Sequence, residues 1–378
     1  MVEERNRGID LLRIISMLMI VTLHTLGHGG ILDATERFSV NYGIAWFLET
    51  MVTCAVNCYA LISGYVGIRA RFQYSNIVYL WFQVMLYSVL GSVIGYFCLH
   101  GEFLKKRDLF MAFFPVTYGK YWYFKAYFAM FFFIPFLNFI IHNLRREQAR
   151  NLIAVIVMLF SVFPTIAGKD LFGTGNGYSA LWLAALYLIG GYISKYRVRI
   201  FNKRSHLWKA YAACVLFTWG WKILLDYVKI QLELEIFTER IQIYYDGMTF
   251  LQYTSPTMLA ASVVLLLWFA NIEDMNQIVK RLVIFAAPAA FGVYLIHDNS
   301  LIRESLMINA FAGLGECAPP VMTGGIVLAV FGIFLLCLFI DRIRLWLFTK
   351  LKVKQRSEML VRFWCQAWEI LFPKTKEQ

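Results

Sequence analysis

The chain has 378 residues, of which 60% are hydrophobic, 17% are aromatic and 16% are charged, and its formal net charge is +12. A soluble domain carries about 45–50% apolar and about 25% charged residues, so this apolar excess is too large for one buried core. The composition excludes a soluble enzyme, a disordered chain and a secreted disulfide scaffold. It indicates an integral membrane protein whose positive charge faces anionic lipid rather than nucleic acid.

Apolar segments recur along the whole chain, and ten of them are long enough to cross a membrane, because a spanning helix needs about 20 residues. The sequence therefore predicts an all-α fold, a polytopic membrane helix bundle with about ten transmembrane helices. These form one transmembrane domain, residues 1–349, followed by a basic amphipathic tail, residues 350–378, that is cytoplasmic or interfacial. The predicted spans are residues 10–31, 44–66, 77–99, 121–142, 151–168, 178–194, 207–228, 249–270, 283–302 and 320–349.

The first predicted span carries ionisable residues, which are costly in a membrane and are therefore functional candidates. His24 follows Arg13 by eleven residues, or three helical turns, so both side chains share one face about 16 Å apart. Asp10 and His28 extend this polar stripe at its two ends. The alternative is structural: a salt bridge between Asp10 and Arg13, with a histidine that caps a neighbouring helix. A neutral imidazole at His24 could take a proton from a hydroxyl or accept an acyl group.

Two further groups of polar residues lie near span ends. Arg69 and Arg71 follow the small-residue turn that begins at Ser63. They form either a positive anchor at the membrane edge or a clamp for a phosphorylated ligand, because guanidinium pairs with phosphate in a bidentate way. His297 and Asp298 close the ninth span at a level comparable with His24, as an interfacial pair or as part of a site.

The remaining motifs predict no metal chemistry. Cys54 and Cys58 lie on one helix face without a second pair of ligands, so we expect packing thiols and no metal site. Trp122 opens the fourth span in an aromatic run typical of a membrane interface. The sequence has no glycine-rich phosphate loop, G-x-S-x-G elbow or H-E-x-x-H motif, which argues against serine hydrolases and zinc enzymes.

The distribution of positive charge predicts the orientation. Most Lys and Arg residues outside the spans lie on the side of the N-terminus, so both termini are expected in the cytoplasm. One basic cluster, residues 105–107, lies on the opposite side, where it fits either an interfacial helix or contact with an anionic polymer. In the tail, Met359, Phe363 and Trp364 recur at helical spacing. This helix is expected to lie on the cytoplasmic leaflet or to dock against the bundle.

Several of these motifs together resemble the acyltransferase 3 family of bacterial membrane acyltransferases. Arg13 and His24 match the family's Arg-x10-His pattern, and LISGYVG at residues 61–67 matches its I-S-G-Y turn. Residues 69–71 are similar to the family's Arg-x-Arg motif. FGVYLIH at residues 291–297 is similar to its late S-[FY]-x-I-Y-L-x-H segment, with alanine in place of the leading serine.

The resemblance spans residues 8–349 and implies a fold of ten spans and an O-acyltransferase activity. The enzyme would take an acyl group, usually acetyl, from acyl-CoA in the cytoplasm. It would pass that group to a hydroxyl of a cell-surface polysaccharide or lipid-linked glycan. Together with the polar stripe, the resemblance predicts His24, Arg13 and Asp10 for catalysis, Arg69 and Arg71 for binding acyl-CoA, and His28, Ser63, Trp122, Tyr294 and His297 for the acceptor side or its support.

The resemblance also implies the surroundings of the protein. No bound cofactor is expected, and acetyl-CoA or another acyl-CoA is the co-substrate. The predicted partners are acyl-CoA, a carbohydrate or glycolipid acceptor and the lipid bilayer, with no nucleic acid. A homo-oligomer or a partner acyltransferase is left open. The predicted location is the bacterial cytoplasmic membrane, which the chain crosses several times.

Two other classes of function stay open from the sequence. Intramembrane Asp, Arg and His would also suit a proton-coupled transporter or a glycan flippase, although we find no inverted repeat or matched pair of broken helices. The second of these classes is a non-enzymatic assembly factor for the machinery that builds a glycan. Within the acyltransferase hypothesis, His24 either deprotonates the acceptor for direct transfer or carries the acyl group itself.

Overall fold

The computed structural model describes residues 5–98, 106–200, 203–231 and 246–371; 79% of these residues are helical, and none of them forms a strand. This confirms the all-α fold. The helices are α1 Arg7–Leu26, α2 Ile31–Ala34, α3 Val40–Thr53, α4 Ala55–Gly67, α5 Ser75–Cys98, α6 Lys106–Ala112, α7 Trp122–Phe131, α8 Ile134–Asn143, α9 Arg146–Val157, α10 Phe163–Ala167, α11 Ala180–Tyr196, α12 Arg204–Gln231, α13 Pro256–Ala270, α14 Gln277–Ala286, α15 Ala290–His297, α16 Ser300–Ile302, α17 Pro319–Lys350 and α18 Val353–Leu371.

Several helices are long and apolar enough to cross a membrane. In the described ranges they number seven, or eight if the bent pair α7 and α8 forms one span. That pair bends by 57° near Pro135, whose ring and missing N–H interrupt a helix. The predicted spans 178–194 and 207–228 are also helical, as α11 and α12. The count of ten and the cytoplasmic termini stay predictions.

Helix α1 lies at the centre of the bundle, where it packs against α3, α4, α13, α15 and α17. The side chain of Asn6, the residue before α1, accepts a hydrogen bond from the Ile9 N–H and so caps the first turn of the helix. Most of its residues are buried, including the polar Asp10 and Thr25. Because α1 is enclosed on several sides, its polar side chains face protein or cavities, and each must find a partner there.

The α4–α11 pair packs closely through glycines. A Cβ on Gly64 would stand 2.0 Å from the carbonyl oxygen of Tyr187, and one on Gly190 would stand 2.1 Å from that of Leu61. These reciprocal positions let the two backbones meet, as small residues do in membrane bundles.

We expect Gly64→Ala to lower the free energy of unfolding by at least about 1–3 kcal/mol, because the added methyl group forces α4 and α11 apart. Thermal unfolding in detergent measures the change. Gly220→Ala is the matched control, since nothing lies within 4 Å of its would-be Cβ and alanine favours the helix. Equal melting temperatures for the two variants would contradict this account of the packing.

A buried ion pair within α17, Asp341 and Arg344, is linked to α5 by a hydrogen bond from Tyr87. The Asp341 carboxylate accepts hydrogen bonds from Arg344 Nε at 3.0 Å and from the Tyr87 hydroxyl at 2.7 Å. Both charged side chains are almost fully buried. Gly292 on α15 leaves the space that Asp341 fills, because a Cβ there would lie 2.0 Å from the carboxylate carbon. The charges are therefore paired and hydrogen-bonded, as a buried pair requires.

The tail continues from α17 through a turn at Lys352 into α18, which packs against α5 and α17. Contact with the bundle was one of the two predicted arrangements. Met359, Phe363 and Trp364 nevertheless stay exposed, which leaves an apolar face for lipid, the other predicted arrangement. Of the basic cluster 105–107, Lys105 lies outside the described residues, as do residues 372–378 of the tail.

Candidate active site

Two histidines from distant parts of the chain meet at one end of α1. His24 Nδ1 lies 2.9 Å from His297 Nε2, and His297 Nδ1 lies 2.6 Å from the carbonyl oxygen of Val293. A carbonyl oxygen only accepts, so His297 carries its hydrogen on Nδ1. Its Nε2 then accepts from His24 Nδ1–H. With both rings neutral, one placement of the ring hydrogens fits both hydrogen bonds. In that placement the free lone pair of His24 is on Nε2, as a general base requires.

The end of α15 that carries His297 is held by polar contacts. The Tyr121 hydroxyl donates to the carbonyl oxygen of Leu295 at 2.8 Å, and Asn299 Nδ2 donates to the Tyr121 oxygen at 2.9 Å. The Asn299 side chain also accepts from Leu301 N–H and so caps the next turn. His297 therefore has a fixed backbone and, through Val293, a fixed ring.

Asp298 and Arg303 supply opposite charges beside this pair. Asp298 Oδ1 lies 3.9 Å from His24 Nδ1, which is beyond hydrogen-bond distance, and 3.2 Å from Arg303 NH1. Arg303 therefore balances the buried carboxylate and brings a positive charge to the site. The ring of His28 lies 5.0 Å from that of His24, centroid to centroid, so the predicted companion histidine belongs to the same group.

His24, His28 and Asp298 place one ligand atom each within 4.8 Å of one another, a spacing that a metal ion could bridge. Imidazole and carboxylate are ligand types that suit several divalent metals. The hydrogen bond from His24 Nδ1 to His297 leaves only Nε2 of that ring for a metal. The expectation of no metal site stays a prediction.

A cavity of about 340 Å³ opens on His24, a size within the range of small-molecule sites. It reaches down α1 as far as Met17, seven residues or about 10 Å before His24. The predicted residues Trp122 and Tyr294 also line it, and the Tyr294 ring meets that of His297 at 76°. Four of the residues assigned to this end, His24, His28, Trp122 and Tyr294, therefore share one cavity, with His297 directly behind.

Asp10 and Arg13 lie at the other end of α1 and form the predicted salt bridge, at 2.9 Å. Asp10 is also held by Arg5, whose Nε and NH2 donate to its two oxygens at 2.7 and 2.8 Å. Arg13 does not line the cavity. Its backbone carbonyl oxygen accepts from the hydroxyl of Tyr59, a lining residue, at 2.9 Å. Tyr59 thus connects the backbone at Arg13 to the cavity, and a catalytic role for the Arg13 side chain stays a prediction.

A second cavity, of about 220 Å³, lies at the end of α4 beside Arg69. Arg69 NH2 donates to the carbonyl oxygen of Ser194 at 2.6 Å, which fixes the side chain along the rim. Arg197 and Arg199 line the same cavity. Arg71 is exposed outside this lining. Three guanidinium groups around one small cavity suit a polyanionic ligand.

Ser63, which the sequence assigned to support, donates its hydroxyl to the carbonyl oxygen of Tyr59 at 3.0 Å within α4. The sequence analysis did not select several other residues that line the His24 cavity, among them Glu49, Tyr178, Tyr253 and Arg303. Glu49 carried the signal used for Asp10, because it is an ionisable residue inside an apolar span. The two tyrosines gave no such signal, since each lies near a helix start.

The model of the acyltransferase 3 family, described as an acyltransferase domain, matches residues 6–342. This match runs from the cap of α1 into α17 and includes every residue of the His24 cavity. The chain belongs to the acyltransferase 3 family. No curated protein and no solved structure matches it.

Membership of the acyltransferase 3 family makes this chain a membrane acyltransferase that crosses the membrane several times. The family's Arg-x10-His residues both lie on α1, with Arg13 beside Asp10 at one end of the polar stripe and His24 beside His28 at the other. The two arginines of the Arg-x-Arg segment have different surroundings, because Arg69 lines the second cavity and Arg71 does not. Arg197 and Arg199 complete the basic lining there.

Proposed function

We propose that the chain moves an acyl group, in the first place acetyl, from acyl-CoA to a hydroxyl of a cell-surface polysaccharide or lipid-linked glycan. The observation that carries this proposal is the His24–His297 pair, which leaves an unprotonated ring nitrogen on a cavity large enough for a substrate. The membrane is that of a bacterial cell. The donor approaches from the cytoplasm at the Arg69 cavity, and the acceptor approaches from the opposite side.

The reaction is a direct transfer. The acceptor hydroxyl oxygen attacks the thioester carbonyl carbon while His24 Nε2 removes its proton. A carbon–oxygen bond forms, the carbon–sulfur bond breaks, and His24 returns the proton to the departing thiolate of CoA. Arg303 brings the positive charge that a developing oxyanion needs. The thioester arm of acyl-CoA has to extend from the Arg69 cavity to His24, and the part of the His24 cavity that runs along α1 to Met17 leaves room for its end.

Purified protein in liposomes with radiolabelled acetyl-CoA tests the proposal. We expect CoA release that rises when a cell-envelope glycan fraction is added, together with label on that fraction. Transport of protons or glycan across the same liposomes without acetyl-CoA, and no label transfer, would favour a transporter or flippase. Rapid denaturation at neutral pH separates the two chemical routes, because an acyl-histidine intermediate, which acid would hydrolyse, would leave label on the protein.

Replacement of Arg69 tests the donor site. We expect Arg69→Ala to raise the KM for acetyl-CoA about 10–100-fold, since a hydrogen bond to a charged group contributes about 1.5–3 kcal/mol. Arg197→Ala should act in the same direction, because both side chains line one cavity.

The matched control for these arginine variants is Arg150→Ala, which removes an exposed arginine paired only loosely with Glu147. Steady-state kinetics with acetyl-CoA as the varied substrate give the comparison. An equal rise of KM in Arg150→Ala would show that the effect comes from the loss of one positive charge and not from the cavity. An unchanged KM in Arg69→Ala would show that acetyl-CoA does not bind at this cavity.

A further inference from the structure

The His24 cavity has an aromatic wall that the proposed chemistry does not use. The rings of Trp122 and Tyr253 are stacked at 14° with centroids 6.2 Å apart. The centroid of the Tyr178 ring lies 4.4 Å from that of Trp122 and 5.1 Å from that of Tyr253. All three residues line the His24 cavity. Aromatic faces of this kind give a flat, partly apolar ligand a rigid surface to rest on.

A carboxylate at the same wall lacks a partner. Glu49 Oε2 is buried and has no hydrogen-bond partner among the described residues, although a buried acceptor left unsatisfied is costly. A carboxyl oxygen accepts a hydrogen bond whether or not the acid carries a proton, so a ligand that brings donors, such as a hydroxylated molecule, would complete Oε2. The aromatic rings and this acceptor together fit a sugar ring.

A third cavity, of about 260 Å³, adjoins the His24 cavity at the same wall. Glu49, Tyr178 and Tyr253 line both cavities, and Asn176 and Gln252, which carry side-chain amides, line the third. Amide groups both donate and accept hydrogen bonds, which suits sugar hydroxyls. The two cavities are therefore neighbours, with His24 in one compartment and two amide-bearing residues in the other, and we refer to them together as the groove.

The loop that carries Asn176 and Tyr178 is held by hydrogen bonds to one side chain, Asp170. Asp170 accepts from Thr174 N–H at 3.0 Å, from the Thr174 hydroxyl at 2.9 Å and from Gly175 N–H at 2.6 Å. Burial raises the pKa of Asp170, but these hydrogen bonds outweigh it and hold the pKa below its ordinary value. A preformed loop costs less ordering on binding.

A glycine fixes the contact between this loop and the aromatic wall. Gly177 has a φ of 104°, which favours glycine, and a Cβ there would lie 2.4 Å from the Cβ of Tyr253. The loop can therefore lie directly against Tyr253, between the two compartments.

We propose that the acceptor is a saccharide of at least two sugar residues bound along this groove. The sugar to be acylated lies beside His24, and its neighbour in the glycan lies between Asn176 and Gln252. Glu49 accepts a hydroxyl hydrogen bond at the junction. This inference rests on the proposed function, because it assigns the acceptor of that reaction.

The test uses size-fractionated hydrolysate of the host's envelope polysaccharide, in fractions of one, two and three sugars, with the full chain in liposomes. Binding is measured without acetyl-CoA by quenching of tryptophan fluorescence, and Trp122→Phe supplies the signal of the other ten tryptophans. Acetyl transfer to each fraction is measured separately. We expect the two-sugar fraction to bind and to accept acetyl at least tenfold better than the one-sugar fraction.

Gln252→Ala and Asn176→Ala should each raise the KM for the two-sugar fraction about two- to tenfold, the size of one neutral hydrogen bond, and leave the KM for acetyl-CoA unchanged. Gln277→Ala, an exposed amide at the start of α14, is the matched control. Glu49→Gln should weaken binding of both fractions, because Glu49 borders both compartments.

The outcomes separate this inference from the proposed function. Equal binding and transfer for one- and two-sugar fractions would overturn the inference while the acyltransferase stands. Binding of the two-sugar fraction without acetyl transfer would support the groove and overturn the proposed transfer of acetyl from acetyl-CoA. The absence of saccharide binding, or an equal rise of KM in Gln277→Ala, would overturn the inference.

Discussion

His24→Ala is expected to lower kcat for acetyl transfer by about 10²–10⁴-fold, the usual contribution of a general base, with little change in the KM for acetyl-CoA. The physical reason is that Nε2 of His24 is the nitrogen of the histidine pair with a free lone pair. CoA release in liposomes measures kcat. His206→Ala, which removes an exposed histidine at the start of α12, is the control and should retain activity. Full activity in His24→Ala would remove this residue from the chemistry.

The same account predicts a smaller effect at His297, which acts through His24. His297→Leu removes the acceptor for His24 Nδ1–H and should lower kcat about tenfold, the size of one hydrogen bond, without raising the KM for acetyl-CoA. His297→Gln offers a side-chain oxygen in a similar place and should recover part of the loss. Equal kcat values for the leucine and glutamine variants would show that His297 has only a packing role.

Asp341→Ala is expected to destabilise the protein by about 3–5 kcal/mol, because it leaves Arg344 buried without its counter-ion. Thermal unfolding in detergent gives the measurement. The double variant Asp341→Leu/Arg344→Met removes both charges and should regain most of the stability, since an apolar pair of similar volume replaces the ion pair. If the single variant melted at the wild-type temperature, the pair would be solvated and our account of α17 would be wrong.

Much of the fold follows from local sequence, because the length of an apolar run fixes whether a helix can cross a membrane. The Asp10–Arg13 bridge was also predictable, since residues three apart share a helix face. The 57° bend between α7 and α8 could have been inferred from Pro135. The break between α3 and α4 at Cys54 has no such marker, because no proline or glycine interrupts the run there.

The candidate site was predictable residue by residue but not as an arrangement. His24 and His297 are 273 positions apart, and no spacing rule relates them, so only packing of α1 against α15 reveals the hydrogen bond. Tyr178 and Tyr253 face the cavity because the loop at Gly177 lies against Tyr253. Arg197 joins Arg69 for a similar reason, since α11 packs along α4.

The hydrogen-bonded histidine pair ends at a backbone carbonyl, and this end point governs the movement of charge. The Val293 oxygen accepts a hydrogen bond from His297 but cannot take up the proton. A proton that arrives at His24 therefore has no onward carrier along this route and must depart through the nitrogen that received it. The pair can therefore hold a proton and release it at His24, but it does not conduct protons across the bilayer. Each turnover should then leave the proton balance between the two compartments unchanged, so the enzyme could run without drawing on the membrane potential.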